Sequence, residues 1–289
     1  MSSPPPYSYD LSVKSDISDE LINVYVMRPA AGLLVRALYR TSFTPNQVTL
    51  AATGAGLCAA GLYFQGSPGA FIAAGICITL KDLLDSADGQ LARAKNVQDR
   101  RGRFLDSVGD FLVNLSMFAA IGYVLTTTSG SLSFAFLAGL GFLGITLRVS
   151  YHVYYQPAFL HTQQRYTTNR ITEEIRGDDL QSDQQTLLLQ RLFQALYGWQ
   201  DRLMVRIDGW CRGASPARVD ERKWYTDRTG LRLSGFLGLG TELMLLTLCS
   251  LANRLGLYLL LNSVAMNSIW LVNIWYRRRR LAGRSHELR

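Results

Sequence analysis

Residues 70–110 read AFIAAGICITLKDLLDSADGQLARAKNVQDRRGRFLDSVGD. The apolar run from Ala70 to Leu84 passes directly into Asp85-x-x-Asp88-Gly89-x-x-Ala92-Arg93, and eight residues later comes Gly102-x-x-x-Asp106-x-x-x-Asp110 at the head of another apolar run. At about 100° per residue, helical residues three or four apart share a face. Asp85 with Asp88, and Asp106 with Asp110, are therefore two one-faced acidic pairs. Four acids beside segments apolar enough to enter a bilayer repel one another and carry a heavy desolvation cost unless positive charge lies among them. Two adjacent helices with a pair of oxygen-bound divalent cations between their acids answer both problems.

Outward from this stretch, the chain reads as an all-α, polytopic membrane bundle. A spanning helix needs about 20 mostly apolar residues. Apolar runs at 46–64, 70–84, 104–125, 132–155, 231–251 and 255–276 predict six spans. Thr44-Pro45-Asn46 starts the first, with Thr44 as cap and Pro45 in the first turn. Residues 19–43 mix Leu21, Ile22, Val24, Leu33, Leu34 and Leu38 with Arg28, Arg36 and Arg40, and Pro29 interrupts them. This pattern predicts an amphipathic juxtamembrane helix, as against a soluble helix on a core. The opening MSSPPPYSYDLSVKSD has no basic start followed by an apolar core, so no cleaved signal is expected and residues 1–18 read as a disordered cytoplasmic tail. The first four spans with the acidic motif occupy 44–155. A polar insert, 156–228, separates them from spans five and six (229–276), and 277–289 form a basic tail.

Within the insert, Leu188, Leu192, Leu196, Trp199, Leu203, Ile207 and Trp210 recur every three or four residues and predict an amphipathic helix over 184–210. It reads either as a lid or acceptor-binding element, or as a helix packed on the cytoplasmic face or against a second copy.

The net charge of +8 and pI near 9.5 fit nucleic acid or an anionic membrane surface, and the apolar runs select the membrane, with no nucleic-acid partner. Cys58, Cys77, Cys211 and Cys249 have no metal-ligand or disulfide spacing. Lys95, Arg100, Arg101, Arg103 and Arg277–Arg280 flank the spans on one side, which predicts cytoplasmic termini and a cytoplasmic motif.

The four acids offer oxygens enough for two hard cations, Mg2+ or Mn2+, able to clamp a pyrophosphate and a leaving nucleotide. Gly89 removes a side chain where a ligand approaches the helix, and Arg93 offers a planar fork for phosphate. One acid is free to take a proton from an attacking hydroxyl. Lys81 reads as a counterion of Asp85 or as a snorkelling lysine, and Glu242 as a packed, hydrogen-bonded group. Arg148 and Arg232, near span ends, suit an anionic acceptor or lipid headgroups.

The run from Asp85 to Asp110 resembles the signature of the CDP-alcohol phosphotransferases at every defining position. The resemblance implies transfer from a CDP-linked donor to an acceptor hydroxyl with release of CMP, in phospholipid biosynthesis. It implies that Asp85 and Asp106 bridge two metal ions, Asp88 completes one and Asp110 the other, and that Asp110 is the general base. It further implies that Asp88, Gly89, Arg93 and Gly102, with Asn46 and Thr49 of the first span, contact the CDP part. Helix-start polarity is the competing reading of Asn46 and Thr49. CDP-diacylglycerol is the expected donor and a homodimer the usual assembly. The acceptor stays open: Phe111 stands where phosphatidylglycerophosphate and cardiolipin synthases resemble one another in a lysine, and inositol-phosphate enzymes in an arginine. Competing functions are a CDP-choline or CDP-ethanolamine transferase, and an ion-coupled transporter, which calls for mid-membrane acids and related halves.

Overall fold

The computed structural model describes residues 7–12, 20–163, 175, 183–213 and 220–281. Most of the expected tail at 1–18, residues 164–174, 176–182 and 214–219 of the insert, and the basic residues after 281 lie outside them. Every regular element among the described residues is helical. After a helical turn at Tyr9–Ser12 come α1 (Arg28–Leu38), α2 (Pro45–Gln65), α3 (Pro68–Ala94), α4 (Arg100–Ser129), α5 (Ser133–Thr162), α6 (Gln184–Arg212), α7 (Glu221–Thr226), α8 (Arg228–Gly235), α9 (Leu239–Leu251), α10 (Leu255–Leu260) and α11 (Asn267–Tyr276).

The helix starts follow from local chemistry. Thr44 accepts a hydrogen bond from the Gln47 amide while the Gln47 side chain accepts one from the Thr44 amide, at 3.3 and 2.9 Å, so the first span opens on a capping box. Ser67 caps α3 and Asp99 caps α4, its carboxylate 2.6 Å from the Gly102 amide. Gly66 leaves α2 with φ of 71°, a left-handed setting that glycine adopts without strain.

Five helical stretches are long and apolar enough to cross a membrane: α2, α4, α5, α8 with α9, and Leu255–Arg279. The second expected span corresponds to α3, which is not among these five. It has 27 residues, but no span-length stretch of it avoids the charges of Lys81, Asp82 and Asp85. The fifth span, read from the sequence as one run, bends between α8 and α9, and the sixth passes through a π-helical stretch at Leu261–Met266. Pro29 lies at the start of α1, and a π-helical stretch at Asn23–Met27 precedes it, so the helix widens around the missing amide and continues.

Helices α2 to α5 and α9 to α10 close around Tyr63, Ile78, Met117, Ile121, Ile145 and Leu246, all buried. Glycine sets the tightest approaches. A Cβ on Gly56 of α2 would lie 2.5 Å from the Val113 side chain of α4, and one on Gly109 of α4 2.4 Å from the Thr53 hydroxyl of α2. Helix α1 buries Ala31 and Val35 against Ala87 and Leu91 of α3, the helix that carries the first acidic pair, and leaves Tyr25 and Leu33 outside.

The insert helix forms where its periodicity placed it, and its stripe is divided. Leu203 and Ile207 pack against the buried Tyr155 and Met204, and Leu196 is half-buried, while Leu188, Leu192, Trp199 and Trp210 are exposed and Gln190, Gln200 and Asp208 are buried beside Met204. Hydrogen bonding explains the rotation of the buried face toward polar residues. Asp208 accepts from Tyr155 Oη at 2.7 Å and Trp224 Nε1 at 2.8 Å, and pairs with Arg212 Nε at 2.9 Å. Polar groups that find partners belong inside, and an apolar outer row suits a membrane interface.

The close approach of α2 to α4 predicts that Gly56→Ala costs about 1–3 kcal/mol through overpacking. Gly54→Ala, where a Cβ meets nothing within 4 Å, is expected to cost nothing measurable. Thermal unfolding in detergent compares the two, and equal melting temperatures would mean that α2 and α4 do not pack as described.

Candidate metal and phosphate site

Helix α2 packs against both α3 and α4 and brings them together. This places the acids of the two pairs in one cluster at the end where α3 finishes and α4 begins. One carboxylate oxygen from each of Asp85, Asp88 and Asp106 lies within 4.8 Å of the others. An ion holding oxygens at about 2.0–2.6 Å spans ligand pairs up to about twice that distance, so one divalent cation reaches all three. The donor set is oxygen alone, which suits magnesium or manganese.

Asp110 faces another partner. The Lys81 ammonium donates to its Oδ1 and lies 3.4 Å from Asp85 Oδ1. Lys81 is 1% exposed, so it is the counterion of both acids and does not snorkel. One ammonium against four carboxylates still leaves excess negative charge, which divalent cations would offset.

The remaining motif residues surround this cluster. Thr49 Oγ1 donates to Asp88 Oδ2 at 2.5 Å and to the Pro45 carbonyl at 3.2 Å, holding Asp88 from the first span. Asn46 lies against Gly102: a Cβ there would come within 2.8 Å of Asn46 Oδ1 and 2.9 Å of Asp99 Oδ1. The Arg93 guanidinium covers Gly89, where a Cβ would sit 3.4 Å from Nη1, and Arg93 Nε donates to the Ser12 carbonyl at 2.5 Å. Thr49 thus touches the acids directly, while Gly89, Arg93 and Gly102 lie on the helices that carry them and Asn46 lies against Gly102.

Arg148 and Arg232 are not brought to the cluster by any contact among the described residues. Arg148 is fully buried, ion-paired to Glu242 and bonded to Asn267, with Nη1 3.1 Å from the Asn262 carbonyl; Asn262 Nδ2 in turn donates to Glu242 at 2.8 Å. Arg232 is exposed on α8.

Two participants escaped the sequence reading. Glu20 accepts from the Thr241 amide at 3.0 Å and so caps α9, whose own N-cap residue, Gly238, has no side chain to do so. A Cβ on Gly238 would lie 2.0 Å from Glu20 Oε1, which is why glycine stands there. Burial, then the neighbouring Asp82 carboxylate, pushes the Glu20 acid up to about 8. The second is Tyr197 of α6, whose hydroxyl donates to the Ser107 carbonyl at 2.8 Å, between Asp106 and Asp110. A link across 90 residues carries no periodic signal.

The comparisons agree with this geometry. The family model described as CDP-alcohol phosphatidyltransferase matches residues 42–165, from the start of α2 to just beyond α5. The "Inner membrane protein YnjF" of Escherichia coli (strain K12) is 32% identical over 142 residues, 47% of this chain and 66% of that protein. The match therefore spans just under two thirds of that relative, and α6 onward lies outside the family match. The chain is an integral, multi-pass membrane protein.

The Arg148–Glu242 pair yields a prediction that separates packing from acceptor binding. Arg148→Met alone is expected to destabilise by about 3–5 kcal/mol, because it strands a buried carboxylate, and adding Glu242→Met should restore most of the loss. An Arg148→Met variant that melts like the parent and raises only the KM for an acceptor would instead assign Arg148 to the acceptor.

Proposed function

Residues 42–165 are a CDP-alcohol phosphatidyltransferase domain, and from that premise we propose that this protein transfers a phosphoalcohol group from a CDP-linked donor to an acceptor hydroxyl. CMP is the leaving group, and the donor that fits best is CDP-diacylglycerol. The observation that carries the reading is the three-carboxylate cluster of Asp85, Asp88 and Asp106, with Asp110 held beside it by Lys81. A cluster at the ends of membrane helices meets a donor whose tails lie in the bilayer and whose pyrophosphate lies at its edge.

In this mechanism Asp85, Asp88, Asp106 and Asp110 would hold two divalent cations, magnesium or manganese. When bound, these would neutralise charge on the pyrophosphate oxygens. Thr49 fixes the oxygen of Asp88 that it bonds, leaving the other to ligate. Lys81 does the same for Asp110 Oδ1, which leaves Oδ2 to take the proton of the attacking hydroxyl. The acceptor oxygen then bonds the phosphorus next to the donor alcohol, the bond from that phosphorus to the CMP oxygen breaks, and CMP departs with the electron pair. Gly89 lets the nucleotide approach α3, Asn46 and Gly102 line the side toward α2, and Arg93 exchanges the Ser12 carbonyl for a phosphate oxygen.

The acids face the cytoplasm in this reading. Lys95, Arg100, Arg101 and Arg103 lie in or beside the α3–α4 connection. Arg278, at the end of the last span, donates to the Trp210 carbonyl of α6, and α6 also contacts Ser107 beside the acids, which supports one basic, cytoplasmic side for both. A homodimer is part of the proposal, with membrane lipids around it.

The proposal predicts different losses at different acids. Asp110→Asn should lower CMP release by about 10²–10⁴-fold while Mn2+ still binds, whereas Asp85→Asn should lose both. Purified protein, CDP-diacylglycerol and a panel of small hydroxyl acceptors supply the assay. Undiminished CMP release by Asp110→Asn would remove its catalytic role.

A further inference from the structure

Helix α4 is loosened where it carries the second acidic pair. Gly102 and Gly109 both face α2, because Asn46 and Thr53 leave no room for a Cβ, and glycine weakens a helix. At about 100° per residue, Asp106 and Asp110 project between that glycine face and the face of Phe104, Ser107 and Phe111. The second face is the one that α6 covers. Phe193 packs on Phe104 with ring centres 5.3 Å apart, Tyr197 meets Phe111 edge-on at 6.2 Å, and Phe193 stacks on Tyr197 at 5.0 Å. The Tyr197 hydroxyl completes the contact by donating to the Ser107 carbonyl at 2.8 Å.

We infer that Tyr197 is a positioning residue for the metal site: through the Ser107 carbonyl it sets the rotation of α4 that aims Asp106 and Asp110. Constellations of this kind work within about 0.5 Å and 10–20°, and a small rotation of α4 moves its carboxylates by more than that tolerance. The glycine face supplies closeness to α2, and Tyr197 supplies the fixed point opposite. Helix α6 is itself held from the far side by Ser150, which donates to Gln200, and by the bonds that converge on Asp208. The insert, outside the family match, thus acts on the family's acids. This inference rests on the proposed metal-dependent transfer, and it reaches only how this chain's own residues hold the site.

The test uses full-length protein in lipid nanodiscs and reads Mn2+ binding by electron paramagnetic resonance, together with the melting temperature. Tyr197→Phe keeps the ring packing and removes only the hydroxyl. It should weaken Mn2+ binding about fivefold, the scale of one hydrogen bond, with little change in melting temperature. Ser150→Ala removes a single α5–α6 hydrogen bond while the bonds to Asp208 still hold α6, so it should bind Mn2+ like the parent. If Tyr197→Phe binds Mn2+ normally, or only melts earlier, or if Ser150→Ala weakens binding equally, the assignment to Tyr197 is overturned. CMP release keeps the two readings apart. A parent protein that releases no CMP from any CDP-linked donor sinks the proposed function, while a selective Mn2+ defect in Tyr197→Phe still supports the positioning role.

Discussion

Mutual repulsion among Asp85, Asp88, Asp106 and Asp110 is the constraint on which the rest of the structure depends. Four carboxylates at the ends of two apolar helices cannot all be held close without compensation, since each has surrendered water. The protein answers with one fully buried ammonium, Lys81, placed between Asp85 and Asp110, and with the Thr49 hydroxyl on Asp88. The compensation is incomplete by charge, and the excess is what divalent cations would offset in the proposed function. Most of the surrounding architecture keeps the two acidic pairs at this separation: Gly56, Gly102 and Gly109 let α2 close onto α4, and α1 braces α3 from outside.

A second buried ion pair shows the same physics with the opposite outcome. Arg148 and Glu242 neutralise each other one to one, with Asn262 and Asn267 occupying further polar groups. No net charge is left over for a ligand, and the pair ties α5 to α9 and to the π-helical stretch between α10 and α11. One-to-one pairing makes a structural tie, and a surplus of acid makes a site.

The legibility of the sequence follows this division. Spacing within one helix announced the acidic pairs, and Thr44-Pro45-Asn46 announced the start of α2, because each is written within a few residues. The count of spans was harder, since Lys81, Asp82 and Asp85 give α3 the composition of a site while its length is that of a span. The insert misled for a related reason. An apolar stripe marks the inner face of a soluble helix, but beside a membrane it is shared between core and interface, so Leu203 and Ile207 pack inward while Leu188, Leu192 and Trp199 face outward and Gln200 and Asp208 are buried. Glu20 on α9 and Tyr197 on α4 join residues 221 and 90 positions apart, and no local pattern encodes either.

The most direct test of the account is phosphorus NMR of purified protein with CDP-diacylglycerol and mixed hydroxyl acceptors, followed through a magnesium titration. The account predicts that CMP and a new phosphodiester appear together, that both require the metal, and that both cease on chelation. CMP release that persists in chelator, or no turnover of any CDP-linked donor by protein shown to bind Mn2+ at Asp85, Asp88 and Asp106, would contradict it.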